Sequence, residues 1–279
     1  MGFERVLVVG AGQMGAGIAQ VLATFGRHVL LNDAAPEALE RGLGAMRKSL
    51  ERIAAKGAEV EPDDVLARVE AVEDLAEADL MVEAVNEDAA VKEDVFRRAD
   101  KALPPTAVLA SNTSSIPIAS LAAVTARPER VIGMHFFNPV PVMALVEIVR
   151  APETSEETVA EIVALARDLG KTPALANDFP GFVSNRILMP FINEAAYALQ
   201  DGVAEAEAID TVARLGFNHP MGPLALADLI GLDTCVAIME VLHRGFGDPK
   251  YEPCPLLREH VAGGRLGRKS GRGFYSYAG

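Results

Sequence analysis

The feature that most constrains this chain is a short aliphatic run, Arg5-Val-Leu-Val-Val9, that ends in Gly10-Ala-Gly12-Gln-Met-Gly15 and passes directly into a helical pattern. Aliphatic and β-branched residues at successive positions are what a parallel strand buried on both faces requires. In the turn that follows, the first glycine permits the tight bend and the second lets a ligand approach the backbone. The third lets the helix pack closely on the strand. The helix N-terminus then offers N–H groups and the positive end of its dipole to a phosphate.

Asp33 stands at the end of the next strand-like run, 23 residues after Gly10. A carboxylate there can accept hydrogen bonds from ribose hydroxyls and would repel a 2′-phosphate. Gly10, Gly12, Gln13, Met14, Gly15 and Asp33 together predict a dinucleotide site. No Arg or Lys lies between Asp33 and Arg41, which favours NAD over NADP. The plainer alternative is a glycine turn that only joins strand to helix.

Further strand-like runs are predicted at 28–32, 79–85, 107–110, 130–136 and 145–149, with helical patterns at 13–25, 37–55 and 91–103. Such alternation predicts an α/β, Rossmann-like doubly wound parallel sheet. A helix over 155–169 and a strand over 172–175 lead to the break Asp178-Phe-Pro-Gly181. Beyond it only helical patterns remain, at 182–199, 205–215, 225–246 and 255–261. The expected organisation is a nucleotide-binding domain over 1–180 and a smaller all-helical domain over 181–279. The high apolar content of the latter points to a subunit contact.

Composition excludes several classes of function. A net charge of −13 supplies no general positive field for nucleic acid or an anionic membrane. Cys235 and Cys254 stand in no metal-ligand or redox spacing, so neither a metal site nor a disulfide framework is expected, and a reducing cytoplasm suits them. No signal-like start and no apolar run of membrane-spanning length is present.

The chemistry must come from a site rather than from the fold. Of the five histidines, His135 closes a predicted strand, and open α/β sheets bind ligands at the carboxyl ends of strands. Glu147 lies in Ala144-Leu-Val-Glu-Ile-Val149, apolar on both faces, so its carboxylate needs a partner. A histidine would serve, since a carboxylate on one ring nitrogen fixes the tautomer and stabilises the imidazolium formed at the other. Ser114 in Asn112-Thr-Ser-Ser115 also follows a strand, where it could touch a substrate oxygen or simply shape a turn. Asn185, in the first turn of the helix that opens the second domain, could contact substrate or satisfy the helix end.

At this point the chain resembles the short-chain (S)-3-hydroxyacyl-CoA dehydrogenases of the bacterial 3-hydroxybutyryl-CoA type. The resemblance is carried by GAGQMGAGIAQ at 10–20, SNTSS at 111–115, GMHFFNPVPVM at 133–143, PGFVSNR at 180–186, NHPMGPLALADLIGLD at 218–233 and LGRKSGRGFYSY at 266–277. It implies His135 as catalytic base, Glu147 as its orienting carboxylate, and Ser114 and Asn185 as substrate contacts. It also implies NAD contacts at Glu87, Lys92, Asn112, Asn138 and Lys269, acyl-CoA contacts at Ser49 and Lys56, and a homodimer formed through the helical domain. Ala144 departs from the lysine that relatives often carry there. A dehydrogenase of free hydroxy or sugar acids and a non-catalytic NAD-binding protein are the competing readings. The expected acyl-CoA path is the cleft between the domains.

Overall fold

The computed structural model describes residues 2–277 and divides into two compact units, one ending at Phe179 and the other beginning at Pro180. Among the described residues the first unit is built on an eight-stranded sheet of order β3-β2-β1-β4-β5-β6-β7-β8. Its strands are β1 Arg5–Val9, β2 His28–Asn32, β3 Val69–Val72, β4 Leu80–Glu83, β5 Val108–Ser111, β6 Val131–Phe136, β7 Leu145–Arg150 and β8 Thr172–Asn177. The flanking helices are α1 Gln13–Thr24, α2 Pro36–Ala54, α3 Pro62–Leu66, α4 Ala89–Ala102, α5 Ile118–Ala122 and α6 Glu156–Asp168. Strand order reverses at β1 and β4, which gives the switch point at which such sheets bind ligands.

The centre of the sheet is buried at every position of β4, β5 and β6. Helix starts follow from local chemistry. Asp88 accepts from the Val91 N–H at 3.0 Å to start α4, and Ser155 accepts from the Thr158 N–H at 3.1 Å to start α6. Pro36 occupies the first position of α2, where its missing N–H costs nothing.

The sheet differs from the expectation in two ways, one strand not predicted and one pair that is not parallel. The edge strand β3, Val-Glu-Ala-Val with exposed centre, carries too little apolar pattern to be read from sequence. The β6–β7 pair is antiparallel. Residues 137–144 are too few to carry the chain back across the sheet, because a parallel connection needs about a dozen residues or more. The chain therefore turns as a hairpin, and β7 and β8 run against the other strands.

The second unit is helical, with α7 Ser184–Gln200, α8 Ala206–Thr211 continued by a π-helical turn Val212–Gly216, α9 Pro223–Ile230, α10 Leu232–Phe246 and α11 Pro255–Ala262. Its core gathers Met189, Ile192, Leu232, Met239, Leu242 and Leu257. The single helix expected over 225–246 is two, broken at Gly231, whose φ of +104° lies outside helical geometry. Buried Asp228 accepts from the backbone N–H of Phe274 and Tyr275 and from the Tyr277 hydroxyl, which fastens the C-terminal LGRKSGRGFYSY segment to α9. Among the described residues no helix is long and apolar enough to cross a membrane.

Candidate active site

The glycine turn is shaped by its neighbours. Gly10 adopts φ +103°, and a Cβ there would meet the Ala84 carbonyl oxygen at 2.6 Å. A Cβ on Gly15 would overlap the Gly10 carbonyl oxygen, so α1 can seat on β1 only with glycine at that position. Gly12 differs, because nothing lies within 4 Å of the place its Cβ would occupy. α1 also begins without a side-chain cap, so its first-turn N–H groups meet open space that suits a pyrophosphate. Met14, by contrast, turns its side chain toward the core.

Asp33 is fixed beside this turn. One carboxylate oxygen accepts from the Ala11 N–H at 2.8 Å and the other from the Ala35 N–H at 2.9 Å. It borders a cavity of about 500 Å³ lined also by Gly10, Gly12, Arg41 and Arg98. No Arg or Lys lies between Asp33 and Arg41 in the sequence, but α2 and α4 each bring an arginine to the same cavity. Preference for NAD then rests on the carboxylate. A carboxylate carries about four acceptor sites, so its two backbone bonds leave capacity for ribose hydroxyls, and these residues fit a dinucleotide.

A second cavity, of about 440 Å³, lies between α1, α2 and the hairpin loop, and is lined by Gln13, Ser49 and Asn138 among others. Gln13 donates from its side-chain amide to Asn138 at 3.1 Å, which ties the glycine turn to the loop that follows β6. Lys171 holds that loop from beneath, donating to the Val140 and Met143 carbonyls at 2.7 Å each. Its burial pushes the ammonium below the usual lysine range. Lys56 sits in the exposed turn after α2 and lines neither cavity.

The hairpin register sets His135 directly opposite Glu147. Their side chains therefore share one face, and His135 Nδ1 lies 2.8 Å from Glu147 Oε2. Both are almost completely buried, at 8% and 2% exposure, so the pair works in low dielectric. Phe137 packs against the imidazole with ring centroids 4.7 Å apart. A carboxylate on Nδ1 fixes the orientation of the ring and would favour the imidazolium.

A polar network joins the ends of β4, β5 and β6. Asn112 accepts from the Phe136 N–H at 2.9 Å, next to His135. Glu87 gathers the turn after β5 around one oxygen, which accepts from Thr113 Oγ1 at 2.6 Å and the Ser114 N–H at 2.9 Å. Ser115 gives the same oxygen its N–H at 3.1 Å and its hydroxyl at 2.9 Å, while Ser114 Oγ stands 3.3 Å away. Burial pushes the Glu87 carboxyl up, but the Lys92 charge and the bonds from Thr113, Ser115 and Ser114 outweigh it and hold it below the usual carboxylate range. Behind them Lys92 pairs with Glu83 at 2.6 Å and with Glu87 at 3.3 Å. Glu83, Ser111 and Thr113 escaped the sequence reading. The signal for Glu83 was nonetheless present, as it is a carboxylate closing a buried strand, much as Glu147 is a carboxylate within one.

Two further residues expected to serve the site belong to the second unit. Asn185 lies in the first turn of α7, buried, its N–H donating to the Gly181 carbonyl at 3.1 Å. Lys269 is bound to Asp233 at 2.7 Å, where α10 begins.

Residues 5–179 match the NAD binding domain of 3-hydroxyacyl-CoA dehydrogenase, and residues 181–277 match the C-terminal domain of the same enzyme. The chain is 57% identical to a probable 3-hydroxybutyryl-CoA dehydrogenase of Bacillus subtilis, over 99% of its own length and 98% of the relative's. It is 50% identical to the 3-hydroxybutyryl-CoA dehydrogenase of Bradyrhizobium diazoefficiens, over 99% and 96%. Its structure superimposes on the crystal structure of (S)-3-hydroxybutyryl-CoA dehydrogenase from Ralstonia eutropha with a TM-score of 0.96 and 48% identity, covering 99% of this chain and 100% of that one. Each unit thus has its counterpart over nearly its whole length, and the chain belongs to the 3-hydroxyacyl-CoA dehydrogenase family.

Proposed function

We propose that this protein interconverts (S)-3-hydroxyacyl-CoA and 3-ketoacyl-CoA with NAD, acting on the four-carbon 3-hydroxybutyryl type. The observation that carries the reading is the buried His135–Glu147 pair, 2.8 Å apart at the end of β6 in a sheet whose glycine turn fits a dinucleotide. The names of the relatives described above supply the substrate class.

In oxidation His135 accepts the proton of the 3-hydroxyl, and Glu147 stabilises the imidazolium that results. When bound, NAD supplies the hydride acceptor. In the reverse direction His135 returns the proton to the 3-keto oxygen. Ser114, on the turn gathered by Glu87, donates its hydroxyl to that oxygen, and Asn185 from the second unit serves the thioester region. Ser49 and the cavity it lines receive part of the CoA, with Lys56 offering a cation to its phosphates. Gln13 and Asn138 meet the cofactor beside the glycine turn, and Lys269 contributes from the second unit.

The test is NADH oxidation by the purified protein with acetoacetyl-CoA, run beside free acetoacetate and sugar acids. Turnover of the thioester is expected. Turnover of the free acids alone would overturn the substrate class, and NADH binding without any turnover would overturn the enzyme.

A homodimer formed through the second unit is part of the same reading. It is supported by the exposed apolar side chains Val203, Val212, Leu215 and Phe217, three of which border a cavity of about 420 Å³ there. Sedimentation at micromolar concentration tests it. We place the protein in a reducing cytoplasm, in keeping with two buried free thiols, of which Cys235 is pushed up to about 12 by burial.

A further inference from the structure

The ion pair behind the serine turn is built more fully than a structural tie requires. Lys92 is 1% exposed and Glu83 is fully buried. Glu83 Oε1 accepts from Lys92 Nζ at 2.6 Å and from the Val85 N–H at 2.7 Å, while Oε2 accepts from Ser111 Oγ at 2.6 Å. Lys92 Nζ reaches Glu83, the Val85 carbonyl at 3.3 Å and Glu87 at 3.3 Å. An ammonium has three protons, and those three acceptors match them. Lys92 thus has protein acceptors for its donors and reaches the 113–115 turn through Glu87.

We infer that the buried Glu83–Lys92 pair is a charge clamp that positions Ser114, with Lys92 holding Glu87 as an anion so that Glu87 can gather the 113–115 turn. Charge counting supports the role. One cation faces two carboxylates, so Glu83 neutralises Lys92 within the core and Glu87, with 38% of its side chain exposed, carries the remaining negative charge at the surface. An ionised carboxylate accepts only, and Glu87 Oε1 accepts from Thr113 Oγ1, the Ser114 N–H, the Ser115 N–H and Ser115 Oγ, donors on three consecutive residues. A protonated carboxyl would turn one oxygen into a donor and release part of the turn. The charges facing Glu87 are Lys92 from α4 and, behind it, Glu83 from β4. The turn after β5 presents only hydroxyls and N–H groups.

The inference rests on Ser114 touching substrate, as proposed above, and the tests separate the two. Wild-type turnover of acetoacetyl-CoA is measured in parallel, and its absence would sink the function itself. K92M leaves a buried carboxylate without a cation and is expected to fold poorly. The double variant E83Q/K92M removes both buried charges and is expected to recover the wild-type melting temperature to within a few degrees. Its kcat/KM should stay at least tenfold below wild type. The variant-to-wild-type ratio should also fall further as pH is lowered toward 4.5, because Glu87 loses the Lys92 charge that helps hold its carboxyl down. E87Q, altered on a half-exposed loop, should fold and lose at least tenfold in kcat/KM at every pH, with the NADH dissociation constant, read by fluorescence, changing less than kcat. A double variant that regains both stability and kcat/KM to within twofold of wild type would reduce the pair to packing. An E87Q enzyme within twofold of wild type would overturn the clamp even if the double variant failed to fold.

Discussion

Two buried charge pairs stand at the carboxyl ends of neighbouring parts of one sheet, and they are built for opposite ends. His135–Glu147 joins two strands across a hairpin, with a ring nitrogen 2.8 Å from a carboxylate oxygen. Glu83–Lys92 joins the end of β4 to the first turns of α4, and every proton of its ammonium has an acceptor. The first pair is the one proposed to take part in the reaction, while the second ties a strand end to a helix and, through Glu87, to the 113–115 turn. A buried pair is therefore informative about catalysis only once its partners' remaining bonds are known.

The contrast can be broken by mutation. The largest expected effect is that of His135→Ala, which should lower kcat/KM by about 10²–10⁴-fold while melting temperature and NADH binding stay near wild type. A loss below tenfold would remove His135 as the base. Next comes Lys92→Met, whose main effect is on stability: stranding a buried carboxylate costs about 3–5 kcal/mol, measurable by urea denaturation. A change under about 1 kcal/mol, well short of that cost, would show that Glu83 and Lys92 are not a tight pair. Glu147→Gln is expected to be milder. A neutral acceptor replaces a charged one, a difference of about 1–2 kcal/mol, or roughly 5- to 30-fold in kcat/KM. Retained full activity would show that the imidazolium needs no carboxylate.

The smallest effect is in pH dependence of stability. Glu87 is held below its reference value of 4.5, so its contribution is fully present above that pH and is lost as pH falls through the lower folded-state value. The stability difference between wild type and Glu87→Gln should be flat from pH 8 to 6 and should shrink below pH 4.5. A difference that grew on acidification would reverse the assigned sign.

Much of this was legible in order of periodicity. The bounds of β1 and β2 follow from their continuous apolar runs, and α1 from the glycines that precede it. The edge strand β3 was not legible, because an edge needs apolar residues on neither face at its centre. The break at Gly231 was hidden because a single glycine inside an apolar pattern is tolerated in a helix and only its conformation shows the stop. Within the site, Glu147 was legible as a carboxylate in an apolar strand. Lys92 and Glu87 were known from resemblance alone, and Glu83 not at all, since each lies on a different side of a turn whose path the sequence does not encode locally.

What the sequence determined by itself is the set of positions that backbone geometry permits: glycine at 10 and 15 where a Cβ would collide, and a carboxylate at 33 after a buried strand. Spacing of residues along one segment suffices for that. Only the tertiary structure decided which charges face one another. A hairpin too short for a crossover reversed β7 and so set Glu147 opposite His135, and helix packing delivered Arg41 and Arg98 to the cavity that Asp33 borders and Lys92 to Glu83. Electrostatic partnership depends on distances of a few ångströms between segments remote in sequence, and those distances are fixed when the layers pack.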